Sequence, residues 1–141
     1  MSTSDDEAVL ASNKAFYTAF EALDAAAMDA VWSSSAPVTC IHPGWAPVTG
    51  RDRVLDSWSG IFRGTDRIRF ELNDIRTFIS GDHAWVILME EIEAHQAGQL
   101  VRAYAITTNI FVREEAGWKM VHHHAGPTPP PSKQPKASVL H

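Results

Sequence analysis

One cysteine, Cys40, is all the chain contains, so no internal disulfide can form, and a lone thiol fits a reducing, cytoplasmic setting. No apolar run approaches the ~20 residues that span a bilayer, and the opening MSTSDDEAVL is too acidic and polar for a signal peptide. No membrane partner is therefore expected. Cations are also scarce: 12 Lys and Arg face 17 Asp and Glu, for a formal net charge of -5. The basic residues are dispersed, and without a basic patch no nucleic-acid partner is expected. No internal repeat is present.

What remains is an ordinary globular composition, 45% hydrophobic and 21% charged over 141 residues, enough for one domain with a sizeable core. Ser4 and Glu7 form a capping-box pattern, after which Val9, Phe16, Phe20 and Leu23 recur at helical spacing. Asp24 is placed to cap a second, short helix that turns Met28, Val31 and Trp32 inward. A strand over Val38 to His42 runs into the Pro43-Gly44-Trp45-Ala46-Pro47 loop. Thr49 and Asp52 make a second capping-box pattern, opening a helix with the stripe Val54, Leu55, Trp58, Ile61 and Phe62.

After Gly64 the apolar period falls to two. Ile68, Phe70 and Leu72 alternate on one parity and Ile75, Thr77 and Ile79 on the other, which predicts a bulge near Asn73-Asp74. Strands follow over about 83–94, 99–112 and 118–125, separated by Ser80-Gly81-Asp82, Gln96-Ala97-Gly98 and Glu115-Ala116-Gly117. Three N-terminal helices followed by an antiparallel meander give an α+β class. The domain is expected over 1–127. Five of the eight prolines fall after Gly126, so 128–141 reads as a Pro-rich tail, extended or disordered.

Three-residue hairpin loops ending in Gly would pair His95 with Gln99 and Glu114 with Trp118. One face then carries Trp85, Ile87, Met89, Glu91, Ala103, Ala105, Thr107, Asn109, His123 and Ala125. The opposite face carries Val86, Leu88, Glu90, Tyr104, Ile106, Thr108, Ile110, His122 and His124. The first mixes small residues with a few polar ones, as a ligand pocket requires.

The segments VTCIHPGW (Val38 to Trp45), GRDRVLDSWSGIF (Gly50 to Phe62) and TTNIFVREEAGWKMVHHHAGP (Thr107 to Pro127) resemble the SnoaL-like branch of the nuclear transport factor 2-like superfamily. The resemblance runs from about Asp6 to Pro127. It implies a cone-shaped fold, helices closing one side of a strongly curved sheet over a pocket, and homodimers formed through the sheet's outer surface. Ketosteroid isomerase, polyketide cyclases, dehydratases and epoxide hydrolases share this fold, so the fold does not name the reaction. The isomerase pattern itself is not met. His42 stands where its general-base Asp belongs, Thr107 or a neighbour where its second Asp belongs, and Ala19 or Phe20 where its Tyr belongs, with Tyr17 nearby. The last segment also resembles the association domain of calcium/calmodulin-dependent protein kinase II, but that domain's pocket arginines are replaced by Met89, Asn109 and Ala125.

An unperturbed His42 would titrate in the range a general base needs, and it either serves as one or satisfies the backbone at the Pro43-Gly44 turn. Trp45, Trp58, Met89, Thr107, Asn109 and His123 are the expected ligand-binding set. Trp58 is core first, and Trp45 is the better lid. Glu91 is either a base of raised pKa or a solvated rim residue. His122 and His124 share a face at a spacing that supplies two metal ligands, but a site needs a third, so no metal or cofactor is expected. The expected partner is a small molecule in an interior pocket. The chain is then an enzyme of proton transfer on a small, mostly apolar substrate, a non-catalytic binding protein, or a homodimeric association module.

Overall fold

The computed structural model describes residues 3–133. Helix α1 (Thr3–Glu21) and helix α2 (Ala25–Val31) come first, then strands β1 (Thr39–Ile41) and β2 (Val48–Thr49) and helix α3 (Arg51–Arg63). Four long strands follow: β3 (Arg67–Ser80), β4 (His83–Gln96), β5 (Gln99–Glu114) and β6 (Gly117–Pro127). The six strands form one sheet in the order β2-β1-β6-β5-β4-β3. The long strands make the expected antiparallel meander. The short β1 adds to it in parallel, pairing Thr39, Cys40 and Ile41 with His122, His123 and His124.

The helices carry the periodic stripes read from the sequence. Val9 and Phe16 of α1, Met28 and Val31 of α2, and Val54, Trp58 and Phe62 of α3 are buried in one core against Val86, Leu88, Phe111 and Met120 of the sheet. Asp24 caps α2 as expected, its carboxylate accepting from Ala27 N at 3.0 Å. The other two caps differ. Helix α1 already runs at Thr3, so Ser4 lies inside it, and α3 is capped by Gly50 with no side-chain bond from Thr49. Its start is held instead by Arg51, whose guanidinium donates to the carbonyl oxygens of Trp32 and Ser33 at 2.9 Å each.

The bulge falls where the parity change predicts it: Asn73 pairs with Met89 and the next pair is Arg76 with Ile87. The hairpins differ, and the difference decides the site. The β4–β5 loop has two residues, Ala97 and Gly98, with φ of 51° and 77°, and Gln96 pairs directly with Gln99. Two successive positive φ values suit the twist of the flanking strands. The one-residue change in loop length inverts the parity of β4. Val86, Leu88 and Glu90 face the core, while Trp85, Ile87, Met89 and Glu91 lie on the outer face.

The β5–β6 loop is also one residue shorter than expected, with Glu114 opposite Gly117. A bulge between Ile110 and Phe111 then takes up the extra residue, so Asn109 still faces His123 and Thr107 still faces Ala125. The expected pairing is present because two departures cancel. The tail is described only to a short turn, Pro131–Lys133; residues 134–141 lie outside the described residues. No helix among the described residues is long and apolar enough to cross a membrane.

Candidate functional site

Between the helices and the inner face of the sheet lies a cavity of about 250 Å³. Its apolar walls are Phe20, Ile61, Ile68, Phe70, Ile92 and Ala125, and its polar members include His42, Thr65, Glu90 and His123. A larger cleft, about 500 Å³ beside α1 and α2, is walled by alanines with Val31 and Trp118, with Ser12, Thr18, Lys14 and Lys119 as its polar members. The buried titratable groups line the smaller cavity.

Glu90 is the acid on its wall and the residue that sequence reasoning assigned to the wrong face. It is 2% exposed, and burial pushes its carboxyl up to about 7, against the opposing pull of the Tyr17 hydroxyl. Tyr17 Oη donates to Glu90 Oε2 at 2.5 Å. The same burial, with the Glu90 charge beside it, raises the Tyr17 phenol well above its ordinary value.

The network continues inward. A carboxylate only accepts, so Tyr17 donates to it and its oxygen is free to accept from Asn109 Nδ2, 3.4 Å away. Asn109 Nδ2 also donates to Asn13 Oδ1 at 2.9 Å. That orients the Asn109 amide, leaving its Oδ1 to accept from His123 Nδ1 at 2.6 Å. Thr107 is fully buried beside the Tyr17–Glu90 pair, and its hydroxyl lies outside hydrogen-bonding geometry.

His42 follows β1 on the cavity wall, 3% exposed. Ser57 Oγ donates its one hydrogen to Val54 O at 2.6 Å, so it accepts from His42 Nε2 at 2.9 Å. Burial lowers the His42 imidazole to about 4. His123 is held well below its usual value, by burial first and then by the neighbouring His42, His122 and His124. Both rings are therefore neutral at pH 7.

Of the expected ligand-binding set, the cavity wall holds His123 and Trp45, and it holds His42. Trp45 is 49% exposed and its ring meets His42 edge-on at 4.6 Å. Trp58, Thr107 and Asn109 stand one layer behind. Trp58 packs on the rings of His42 at 4.6 Å, Phe20 at 4.8 Å and Phe16 at 5.4 Å. Met89 is on the other side of the sheet for the register reason given above, half-buried opposite Ile106, and Glu91 leaves the inner face with it. The rings of His122 and His124 meet at 6.2 Å; among the described residues no three His, Cys, Asp or Glu converge as a metal site.

Asn13, Tyr17 and Glu90 are the site residues that the sequence reading missed. Each had a signal. Asn13 is a polar residue on the stripe of Val9, Phe16 and Phe20, Tyr17 stands near where the resemblance places the isomerase tyrosine, and Glu90 is an acid on the parity of Val86 and Leu88. A polar group on a buried stripe must find partners there.

The sequence matches a family described as the SnoaL-like domain over residues 9–129. Among solved structures, a provisionally assigned dehydratase of the nuclear transport factor 2-like family from Streptomyces avermitilis is 34% identical. The match covers 89% of this chain and 97% of that one, with a TM-score of 0.84. A provisionally assigned calcium/calmodulin-dependent protein kinase type II association domain from Thiobacillus denitrificans is 36% identical over 84% and 94% of the two chains, TM-score 0.74. F-box protein SKIP8 of Arabidopsis thaliana is 30% identical over 118 residues, 84% of this chain. The chain spans about half, 48%, of that curated relative.

Proposed function

From the premise that this chain belongs to the SnoaL-like family, we propose that its conical cavity binds a small, neutral, mostly apolar molecule and that Glu90 moves a proton on it. The observation that carries the reading is a buried carboxyl on the cavity wall, held by Tyr17 and poised at about 7. General acid–base groups work best when their pKa lies near the working pH. His42, lowered to about 4, is too weak a base for that task and serves instead as a neutral wall residue. Nor do Asn109 and His123 steady an oxyanion: the Asn109 donors are engaged with Asn13 and Tyr17, and the His123 hydrogen with Asn109. A cytoplasmic setting, where the buried Cys40 stays a thiol, completes the reading.

The test uses 2-hydroxyacetophenone, a neutral one-ring ketol with acidic α-hydrogens. Ionised Glu90 takes an α-proton, its electron pair moves into the enolate, and solvent-derived deuterium returns to carbon. Proton NMR in D₂O at pH 8 should show protein-dependent exchange, reduced roughly 100-fold by Glu90→Gln. Equal rates in the two proteins would remove Glu90 from the chemistry.

The outer face supports a second element of the proposal, a homodimer. Ile106 is 48% exposed there, and Phe78 stacks on Trp85 at 5.6 Å on the same surface. A contiguous apolar face is a common dimer surface. Light scattering at micromolar concentration should give twice the chain mass, and Ile106→Glu should halve it. A monomeric wild-type protein would end this part of the proposal.

A further inference from the structure

Four polar side chains point the cavity's chemistry in one direction, because none has a hydrogen left to offer. His42 donates Nε2–H to Ser57, and the polar atom that its ring retains, Nδ1, carries a lone pair and no hydrogen, with only the weakly donating Cys40 thiol near it at 3.9 Å. His123 donates Nδ1–H to Asn109 and retains a bare Nε2. Thr65 is 5% exposed and its hydroxyl donates to Ile61 O at 2.7 Å, leaving only oxygen lone pairs. Ionised Glu90 has no hydrogen and already accepts from Tyr17. The side chains on the wall that can still donate, the Gln96 amide and the Trp45 indole, are exposed. Among the described residues no Lys or Arg lines the cavity. Acceptors thus lie deep and donors lie at the rim.

We propose that this cavity selects a neutral ligand bearing a hydroxyl, which enters hydroxyl first and donates to the buried acceptors, while anions and molecules without a donor are rejected. The physical reason is desolvation. A hydroxyl entering the cavity exchanges its water for the waiting lone pairs, whereas an ether oxygen would face them lone pair to lone pair. A carboxylate would meet only acceptors and a like charge, with no cation to compensate. At about 250 Å³ the cavity is smaller than the ~300–1,000 Å³ sites of drug-sized ligands, so a one- or two-ring molecule fits its size. The inference rests on the cavity being the ligand site, as proposed above, and deepens it by naming the ligand class.

The test compares three naphthalenes by fluorescence titration and calorimetry at pH 8, where Glu90 is ionised: 2-naphthol, 2-methoxynaphthalene and 2-naphthoate. 2-Naphthol should bind at least ~10-fold more tightly than the methyl ether, the worth of a hydrogen bond to a charged or buried acceptor, and 2-naphthoate should not bind. Ile92→Trp, which fills the cavity from a half-buried wall position, should abolish 2-naphthol binding with the circular dichroism unchanged. Equal affinity for naphthol and ether, or a preference for naphthoate, would overturn the inference and leave the Glu90 exchange result standing. Naphthol binding that survives Ile92→Trp in a folded protein would also overturn it, since the ligand would then sit elsewhere. Should none of the three bind, the cavity is not a ligand site, and both this inference and the function it rests on fall.

Discussion

Trp58→Ala should destabilise the protein by about 3–5 kcal/mol, the range for truncating a large aromatic in a close-packed core. Trp58 is 1% exposed and joins the two halves of the structure. From α3 its ring meets Phe16 and Phe20 of α1, His123 of β6 and His42 after β1. Its indole nitrogen is buried with no hydrogen-bond partner among the described residues. The truncation therefore loses packing and leaves a void, without breaking a polar contact. For a chain of this size the loss corresponds to a fall in Tm of roughly 10 °C or more. Trp58→Phe, which keeps much of the ring surface and removes the orphan donor, should cost far less. Urea unfolding of the three proteins measures this directly. A Trp58→Ala loss under ~1 kcal/mol would mean that the ring is not the joint between helices and sheet.

Glu90→Gln should become the more stable protein as pH rises, by about 2–3 kcal/mol between pH 5 and pH 8. The sign follows from linkage. The folded carboxyl titrates at about 7 and the unfolded one near its model value of 4.5. Between those values the native state holds a proton that the unfolded chain has released. Stability is therefore fully present below about 4.5 and falls as pH climbs towards 7. The amide of Gln has no such proton, and its oxygen still accepts from Tyr17. The groups around Glu90 are Tyr17 from α1, Thr107 from β5, His123 from β6 and His42 after β1. His42 acts in the opposite sense: its lowered folded value contributes stability above 6.5 that is lost as pH falls to about 4. That contribution is common to both proteins and cancels in their difference. Chemical denaturation at pH 5 and pH 8 supplies the four stabilities. A difference that stays constant with pH would show that Glu90 is not held protonated by burial, and would weaken its claim to proton transfer.

The two experiments bear on different links of one structure. Trp58 tests whether the aromatic layer holds the helices on the sheet. Glu90 tests whether that layer also keeps water away from the acid behind it. The same desolvation that costs stability above neutral pH is what brings Glu90 to a catalytically useful range.

Local pattern was enough for the elements. The α3 stripe, the Asp24 cap, the parity change in β3 and the glycine-marked turns are all short-range signals, set by side-chain periodicity and backbone preference. They were legible because 3.6- and 2-residue periods leave few alternatives once the apolar positions are known. His42 and the Asn109–His123 pair were legible too, the first through the resemblance and the second through turn spacing that held only because a bulge at Ile110 offset a shorter loop. Glu90 was not. Its face depends on whether the β4–β5 loop holds two residues or three, and Ala97 at φ 51° is not the residue that announces a two-residue turn. Nothing local separates the two registers. They are separated by the core, because only the shorter loop turns Val86 and Leu88 inward against the helices. The parallel contact of β1 with β6, which brings His42 beside His123, likewise joins residues some 80 positions apart in the chain. The chain's own residues determined that it would fold as helices on a meander, whereas which acid faces the cavity was decided by packing, since one residue of register reverses every side chain of a strand.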